Sequence, residues 1–148
     1  MTAKEYLLKI RIYNRTLQGI ADEIERLYAE AGGLKAIVYD KDRVQTSPED
    51  RLEKMMVRID EECNKWARMK IRYEREVRKR VDQINKLNNA DHAELLRLRY
   101  VELKQDGSQM MLEEIAVRMH LSYHRVKHLH GEALQAFAKK YKLAPNST

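Results

Sequence analysis

Residues 112–134, LEEIAVRMHLSYHRVKHLHGEAL, carry two short apolar patterns separated by a turn, and they decide the fold of the C-terminal part of the chain. The first pattern puts four apolar residues on one helical face: Leu112, Ile115, Ala116 and Met119. Leu121 fills the turn, and the hydroxyl of Ser122 is suited to cap the start of a second helix. The second helix turns three apolar residues inward: Val126, Leu129 and Ala133. This stretch therefore predicts a helix-turn-helix.

The opposite face of the second helix is basic and rich in hydrogen-bonding groups: Tyr123, His124, Arg125, Lys127 and His128. A helix with such a face fits the major groove of DNA, where base edges and phosphates offer matching groups. We therefore expect these five residues, together with Ser122, to form a surface that contacts double-stranded DNA. An ordinary solvated helix face is the alternative explanation of the same pattern.

The composition favours an all-α protein of the cytoplasm. The 148 residues are rich in Lys, Arg, Glu, Leu and Ala and include only 5 Gly and 2 Pro, which is typical of long helices. The net charge of +6 is compatible with a polyanionic partner. Cys63 is the only cysteine, so no disulfide can form within the chain and a reducing compartment is expected. Because no run of about 18 apolar residues occurs, we expect no membrane partner.

Two long heptad patterns occupy the N-terminal part of the chain. The first predicts a helix from about residue 3 to residue 31, which Gly32-Gly33 would end. Its apolar seam contains Ile10, Tyr13, Leu17, Ile20, Ile24, Leu27 and Ala31. Ser47-Pro48 then favours the start of a second helix that continues to about residue 87. The two seams predict a coiled-coil-like antiparallel hairpin within the chain, and a homodimer through the same helices is the alternative.

The second seam is interrupted by two basic residues. Its apolar members are Leu52, Met56, Ile59, Cys63, Trp66, Tyr73, Val77, Ile84 and Leu87. Lys70 and Arg80 fall where the register requires apolar side chains, whereas Ile71 and Val81 lie one position later. We therefore expect the register to slip at these points.

Three segments follow from these patterns. The predicted organisation is a helical hairpin at residues 1–89, a DNA-binding helix-turn-helix domain at residues 90–143 and a disordered tail at residues 144–148. Asp91 and Glu94 resemble a capping box that starts a third helix over residues 91–103. Met111 stands where a cap is usual before the first motif helix, so we expect Ser108 to cap that helix one turn earlier.

The second long helix carries a basic stretch. Between residues 65 and 80 there are eight basic residues against two acidic ones, a pattern that could follow DNA phosphates. The candidate phosphate contacts are Arg72, Arg75, Arg78 and Lys79, together with Arg118 of the helix-turn-helix. The solvated face of a long helix is the alternative explanation.

Metal binding and catalysis are not expected. His124 and His128 lie one helical turn apart, and Glu132 continues that face, but the sequence fixes no further metal ligand. These positions also coincide with the predicted DNA face. No glycine-rich phosphate loop or His-Glu-x-x-His motif occurs, and Cys63 lies on the apolar seam. We therefore predict a protein that is not an enzyme and needs no cofactor or metal.

The motifs LLRLRYVE at residues 95–102 and EEIAVRMHLSYHRVKHLHGEAL at residues 113–134 resemble region 4 of bacterial sigma factors. The heptad-rich opening, the segment DRVQTSPED at residues 42–50 and the long basic helix are similar to those of phage transcriptional regulators of the RinA and ArpU type. The resemblance thus covers most of the chain. In one departure, His120 stands where such motifs usually place glycine.

The resemblance implies sequence-specific control of phage or prophage genes, in particular late genes, in the cytoplasm of a bacterial host cell. The long hairpin would then serve dimerisation or a contact with RNA polymerase. Two alternatives remain open. A DNA-packaging protein similar to small terminase subunits would join the same motif to long helices, and a polymerase-binding adaptor would use a sigma-like domain without contacting DNA.

Overall fold

The computed structural model describes residues 1–39 and 48–145, and of residues 34–39 and 48 only the backbone. Within these ranges the chain forms five α-helices and one π-helical turn. The elements are α1 (Ala3–Tyr39), α2 (Pro48–Asn85), α3 (Ala90–Leu96), the π-helical turn (Arg97–Val101), α4 (Leu112–Met119) and α5 (Tyr123–Lys140). The same ranges contain no β-strand, only two isolated backbone bridges. The prediction of an all-α protein is therefore confirmed.

The first helix is longer than the sequence predicts. Gly32 and Gly33 were expected to end it, but α1 continues through both to Tyr39. Glycine adopts the right-handed helical conformation at a cost of about 0.5–1 kcal/mol relative to alanine, and good helix formers follow directly at residues 34–36. The two glycines therefore weaken the helix without stopping it. The predicted cap at Ser47 lies outside the described residues.

The predicted register slip in α2 is wrong. Arg80 is only 4% exposed, whereas Ile71, which the slip would have buried, is 64% exposed. The guanidinium of Arg80 donates to the backbone oxygen of Tyr6 across 3.0 Å and forms an ion pair of 2.8 Å with Glu76. It also lies 4.0 Å from the ring centre of Tyr6 and 5.4 Å from that of Tyr13. Because these partners compensate the buried charge, Arg80 can occupy a seam position and the heptad register continues.

The third helix begins and ends differently from the prediction. Asn89 caps it, because the Asn89 side-chain oxygen accepts from the backbone N–H groups of Asp91 at 2.9 Å and His92 at 3.3 Å. The α-helical bonding stops at Leu96, and Arg97–Val101 continues as a π-helical turn. The single longer helix that the sequence predicts, over residues 91–103, is therefore replaced by two short elements.

The chain divides into two compact units. The first unit consists of Met1–Tyr13 and Glu74–Thr148. Its core joins the start of α1, the end of α2 and the elements that follow, and it includes Leu7, Ile84 and Phe137, all fully buried. This core takes residues from both sides of residue 89. The predicted division into residues 1–89, 90–143 and 144–148 stays a prediction.

The second unit consists of Asn14–Tyr73 and has a smaller core. Leu27 and Ala31 of α1 pack there with Ile59 of α2, all nearly or fully buried. Cys63 is half-buried beside them as a free thiol. Both predicted seams therefore contribute side chains to this core. None of the described helices combines the length and the apolar character needed to cross a membrane.

Candidate nucleic-acid interface

A three-residue turn joins α4 to α5. At its start, His120 adopts the left-handed backbone conformation, with φ 57° and ψ 40°. The N–H of His120 donates to the carbonyl oxygen of Val117 across 3.2 Å. The N–H of Leu121 donates to the carbonyl oxygen of Ala116 across 2.9 Å. The two bonds form a Schellman motif, which satisfies carbonyls at the end of α4, so histidine here performs the role that glycine usually has.

Ser122 caps α5, as the sequence predicts. Its hydroxyl oxygen accepts a hydrogen bond from the backbone N–H of Arg125 across 3.1 Å. The start of α4 has no side-chain cap, because the preceding residue is Met111 and α4 begins directly after it. The predicted earlier start at Ser108 is wrong, since the Ser108 hydroxyl donates to the Asp106 carboxylate across 2.6 Å within the preceding turn.

The inward faces of α4 and α5 belong to the core of the first unit. Ile115 and Val126 are fully buried, and Leu129 is nearly so. These apolar contacts fix the rotation of α5 about its own axis. They therefore determine which residues of α5 face solvent.

The five residues predicted to face DNA are all exposed on the side of α5 that turns away from this core: Tyr123, His124, Arg125, Lys127 and His128. Ser122, at the start of the helix, is exposed as well. Within the described residues neither Arg125 nor Lys127 forms an ion pair. Both cations are therefore available to an external anion.

Glu132 brings a negative charge to the later part of the same face. Its carboxylate lies 3.1 Å from Nε2 of His128 and 3.8 Å from Nε2 of His92 on α3. Glu132 also lines a shallow groove along α5 with five neighbours: His124, Lys127, His128, Gly131 and Gln135. The carboxylate makes this end less favourable for DNA, so the cationic part of the face is the first turn and a half of α5. The sequence alone does not indicate the role of His92, because it comes from a different helix.

The candidate phosphate contacts are distributed over both units. Four of them lie in the unit that contains α5: Arg75, Arg78, Lys79 and Arg118. Arg72 lies in the other unit. All five are exposed. The guanidinium of Arg118 is 4.0 Å from the Glu102 carboxylate, which partly compensates its charge.

Two members of the basic stretch do not present free charge to solvent. Arg80 is buried against Tyr6, as described above. The ammonium group of Lys70 lies 4.7 Å from the ring centre of Trp66, a cation–π geometry. The stretch of eight basic residues therefore contains six that belong to the outer surface.

His130 is partly buried, whereas the other histidines of α5 are exposed. Its Nε2 forms a hydrogen bond of 2.9 Å with the hydroxyl of Tyr100, and the two rings stack 5.9 Å apart. Burial, with the nearby charges of Arg99 and Lys4, lowers the pKa of His130 to about 4. Burial likewise raises the pKa of Tyr100 to about 12. At neutral pH both groups are uncharged, and this pair links the π-helical turn to α5.

Among the described residues, no three His, Cys, Asp or Glu side chains come together in a way that could hold a metal ion. His124 and His128 share a face of α5, but the carboxylate that approaches His128 is already shared with His92. The Glu132 carboxylate thus interacts with His128 on its own helix and with the mostly buried His92 of α3.

No protein-family model, curated protein or solved structure matches this chain. Its function is therefore inferred from the geometry of α4 and α5 and from the distribution of charge.

Proposed function

We propose that this protein is a non-enzymatic, sequence-specific DNA-binding regulator. The observation that carries the proposal is the exposed, basic face of α5, whose opposite face is anchored in a buried core. A rigid helix that starts at a capped, solvent-facing turn can enter the major groove with its first residues against base edges. The fixed rotation of α5 then decides which side chains reach the bases.

In this proposal α4 and α5 form a helix-turn-helix similar to that of sigma region 4. α5 is the recognition helix, and α4 lies across it as the support. Arg125 offers a guanidinium that matches the O6 and N7 acceptors of guanine. Lys127 and Tyr123 are suited to phosphates and base edges beside it. Ser122 positions the first turn, and His124 and His128 extend the polar face.

Basic residues outside α5 add a sequence-independent contribution. Arg75, Arg78, Lys79 and Arg118 are exposed in the same unit as α5, so they are candidates for phosphate contacts. Each phosphate that a cation neutralises releases condensed counterions, which makes binding weaker as the salt concentration rises. The proposal therefore requires strong salt dependence in addition to sequence preference.

We infer that the long helices α1 and α2 pair as the antiparallel hairpin that the sequence predicts. In the first unit the hydroxyl of Tyr6 donates to the Gln83 side chain across 2.6 Å. In the second unit Glu23 lies 3.6 Å from Arg58. Further along α1, Tyr13 lies beside Arg80 in the first unit, and Glu30 lines a groove with Arg51 in the second. In each unit a later residue of α1 thus meets an earlier residue of α2, which supports pairing in opposite directions. Dimerisation or contact with RNA polymerase is the role we propose for these helices.

The resemblance to phage regulators of the RinA and ArpU type supports a role in the control of phage or prophage late genes. A packaging protein similar to small terminase subunits would recognise DNA with the same motif, but as part of a large ring. A polymerase-binding adaptor would not bind DNA at all. The mass of the oligomer in solution and the affinity for DNA separate these alternatives from the proposal.

Replacing Arg125 and Lys127 together with alanine should weaken binding to the preferred DNA site at least tenfold. One lost base contact costs about 1–3 kcal/mol, and a lost phosphate contact adds to it. A mobility shift at moderate salt measures the effect on the full chain. The matched control is Arg15→Ala with Lys139→Ala, which removes two exposed cations outside residues 122–128. Unchanged affinity in the Arg125 and Lys127 variant would exclude α5 as the recognition helix.

A further inference from the structure

The surface of α2 that faces away from its apolar seam carries charge in a regular order. Because the heptad register continues without a slip, each residue of α2 can be assigned to the seam, to its flanks or to the outer face. The part of the outer face in the second unit has basic residues at successive spacings of three and four: Arg51, Lys54, Arg58, Lys65, Arg68 and Arg72. We call these six residues the basic stripe.

The basic stripe is exposed along its whole length, with acids beside its first three members and none among its last three. Residues three and four positions apart lie on the same side of an α-helix, and all six members are exposed. Glu61 occupies the position between Arg58 and Lys65. Four acids, Asp50, Glu53, Glu61 and Glu62, line one shallow groove together with Lys54 and Arg58. At about 1.5 Å per residue the stripe is roughly 32 Å long.

Most members of the basic stripe form no ion pair in the described part of the chain. Within the described residues, only Arg58 has an ion-pair partner, Glu23, and the distance is 3.6 Å with both groups partly solvated. Arg72 lies beside the ring of Tyr73, 5.8 Å from its centre, which leaves the guanidinium edge open. The last three members, Lys65, Arg68 and Arg72, lie in a segment without any acid, residues 63–73.

We propose that the basic stripe binds the phosphate backbone of duplex DNA without reading its sequence. This proposal rests on the proposed function in taking DNA as the partner. The last three members, Lys65, Arg68 and Arg72, form a row of cations spaced about 5 Å apart along a rigid helix, which matches a linear polyanion better than a compact acidic patch on a protein. Four of the six members are arginines, whose planar guanidinium groups bind phosphate oxygens in pairs. The second unit would thus contribute sequence-independent affinity for DNA.

Insertion of this surface into a membrane is less consistent with the structure. An interfacial helix needs a broad apolar face beside its basic face. The apolar side of α2 in this unit is already packed in the core with Leu27 and Ala31. The outer face itself contains only two scattered large apolar residues, Val57 and Ile71. Vesicles of anionic lipid are therefore included in the test as a competing ligand.

The test compares the full chain with a triple variant, Lys65→Gln, Arg68→Gln and Arg72→Gln. Affinity is measured for the preferred DNA site, for unrelated duplex DNA and for anionic vesicles over a range of salt concentrations. The triple variant should lose roughly tenfold in affinity for both DNAs, and its slope of log affinity against log salt should fall by about 2–3, because each phosphate contact contributes about 0.9. The charge-conserving variant Lys65→Arg, Arg68→Lys and Arg72→Lys is the control and should retain the wild-type slope. Circular dichroism establishes that all variants keep their helices.

The outcomes separate this inference from the proposed function. A wild-type chain that prefers one sequence, with unchanged affinity and slope in the triple variant, would overturn the inference and leave the proposed function standing. Binding without sequence preference that depends on the stripe would support the inference and contradict the proposed function. Vesicle binding that depends on the stripe, with DNA binding unaffected, would overturn the inference in favour of a membrane surface. Absence of any DNA binding by the wild-type chain would contradict both.

Discussion

Replacing Val126 with glutamate should abolish the cooperative unfolding transition of the unit that contains α5. Val126 is fully buried in the same core as Ile115 and Leu129. A carboxylate at this position would be surrounded by apolar side chains. The free-energy cost of burying such a charge exceeds about 4 kcal/mol, a large part of the stability of a small domain. Thermal denaturation followed by circular dichroism measures the loss.

Two further variants show whether the effect of Val126→Glu comes from burial. Val126→Ala removes only two methyl groups and should cost about 1–3 kcal/mol, with a cooperative transition that persists. Tyr123→Glu introduces the same charge on the exposed face of α5 and should change stability by about 0.5 kcal/mol or less. A Val126→Glu variant that unfolds at the wild-type temperature would mean that another face of α5 is buried, and the assignment of the exposed face would fail with it.

Replacing Arg80 with alanine should destabilise the first unit by about 2–4 kcal/mol. The side chain packs over the rings of Tyr6 and Tyr13 and donates to the backbone oxygen of Tyr6 and the carboxylate of Glu76. Truncation removes the packing of the long stem and both sets of hydrogen bonds. Chemical denaturation of the full chain gives the change in the free energy of unfolding.

Arg80→Met separates packing from charge. Methionine preserves most of the side-chain volume, and Glu76 is solvated enough to lose its partner at small cost, so this variant should lose less than about 1.5 kcal/mol. Arg78→Ala, two residues earlier on the exposed side of α2, is the matched control and should change stability by about 0.5 kcal/mol or less. If the Arg80→Ala and Arg78→Ala variants were equally stable, Arg80 would not be a buried seam residue. That result would support the register slip predicted from the sequence.

The elements around α4 and α5 were predictable because local chemistry determines them. The apolar spacing in residues 112–134 leaves a single helical face for the core, and the serine before α5 provides a cap that needs no distant partner. The resemblance places His120 where such motifs usually have glycine, and His120 adopts the left-handed conformation of that position. The exposed face of α5 follows from the buried one, so the candidate site residues could be placed from sequence, but their ligand could not.

The features that sequence reasoning missed depend on partners distant in the chain. Arg80 is compatible with the seam only because Tyr6, 74 residues earlier, presents its ring and carbonyl oxygen. The pairing of His92 with Glu132 and of Tyr100 with His130 likewise joins separate elements. The glycines at the predicted end of α1 show why a helix end is hard to predict from local preferences. A preference of about 1 kcal/mol per residue is easily outweighed by the rest of a long helix.

Selection of binding sites from a random pool of duplex DNA by the purified full chain tests the central claim most directly. Wild-type protein should enrich one recurrent sequence motif at moderate salt, in the presence of excess unrelated DNA. The variant with Arg125→Ala and Lys127→Ala should lose this enrichment while keeping its helical content. Recovery of no motif by the wild-type protein, or the same motif with undiminished enrichment by the variant, would contradict the assignment of α5 as a sequence-reading helix.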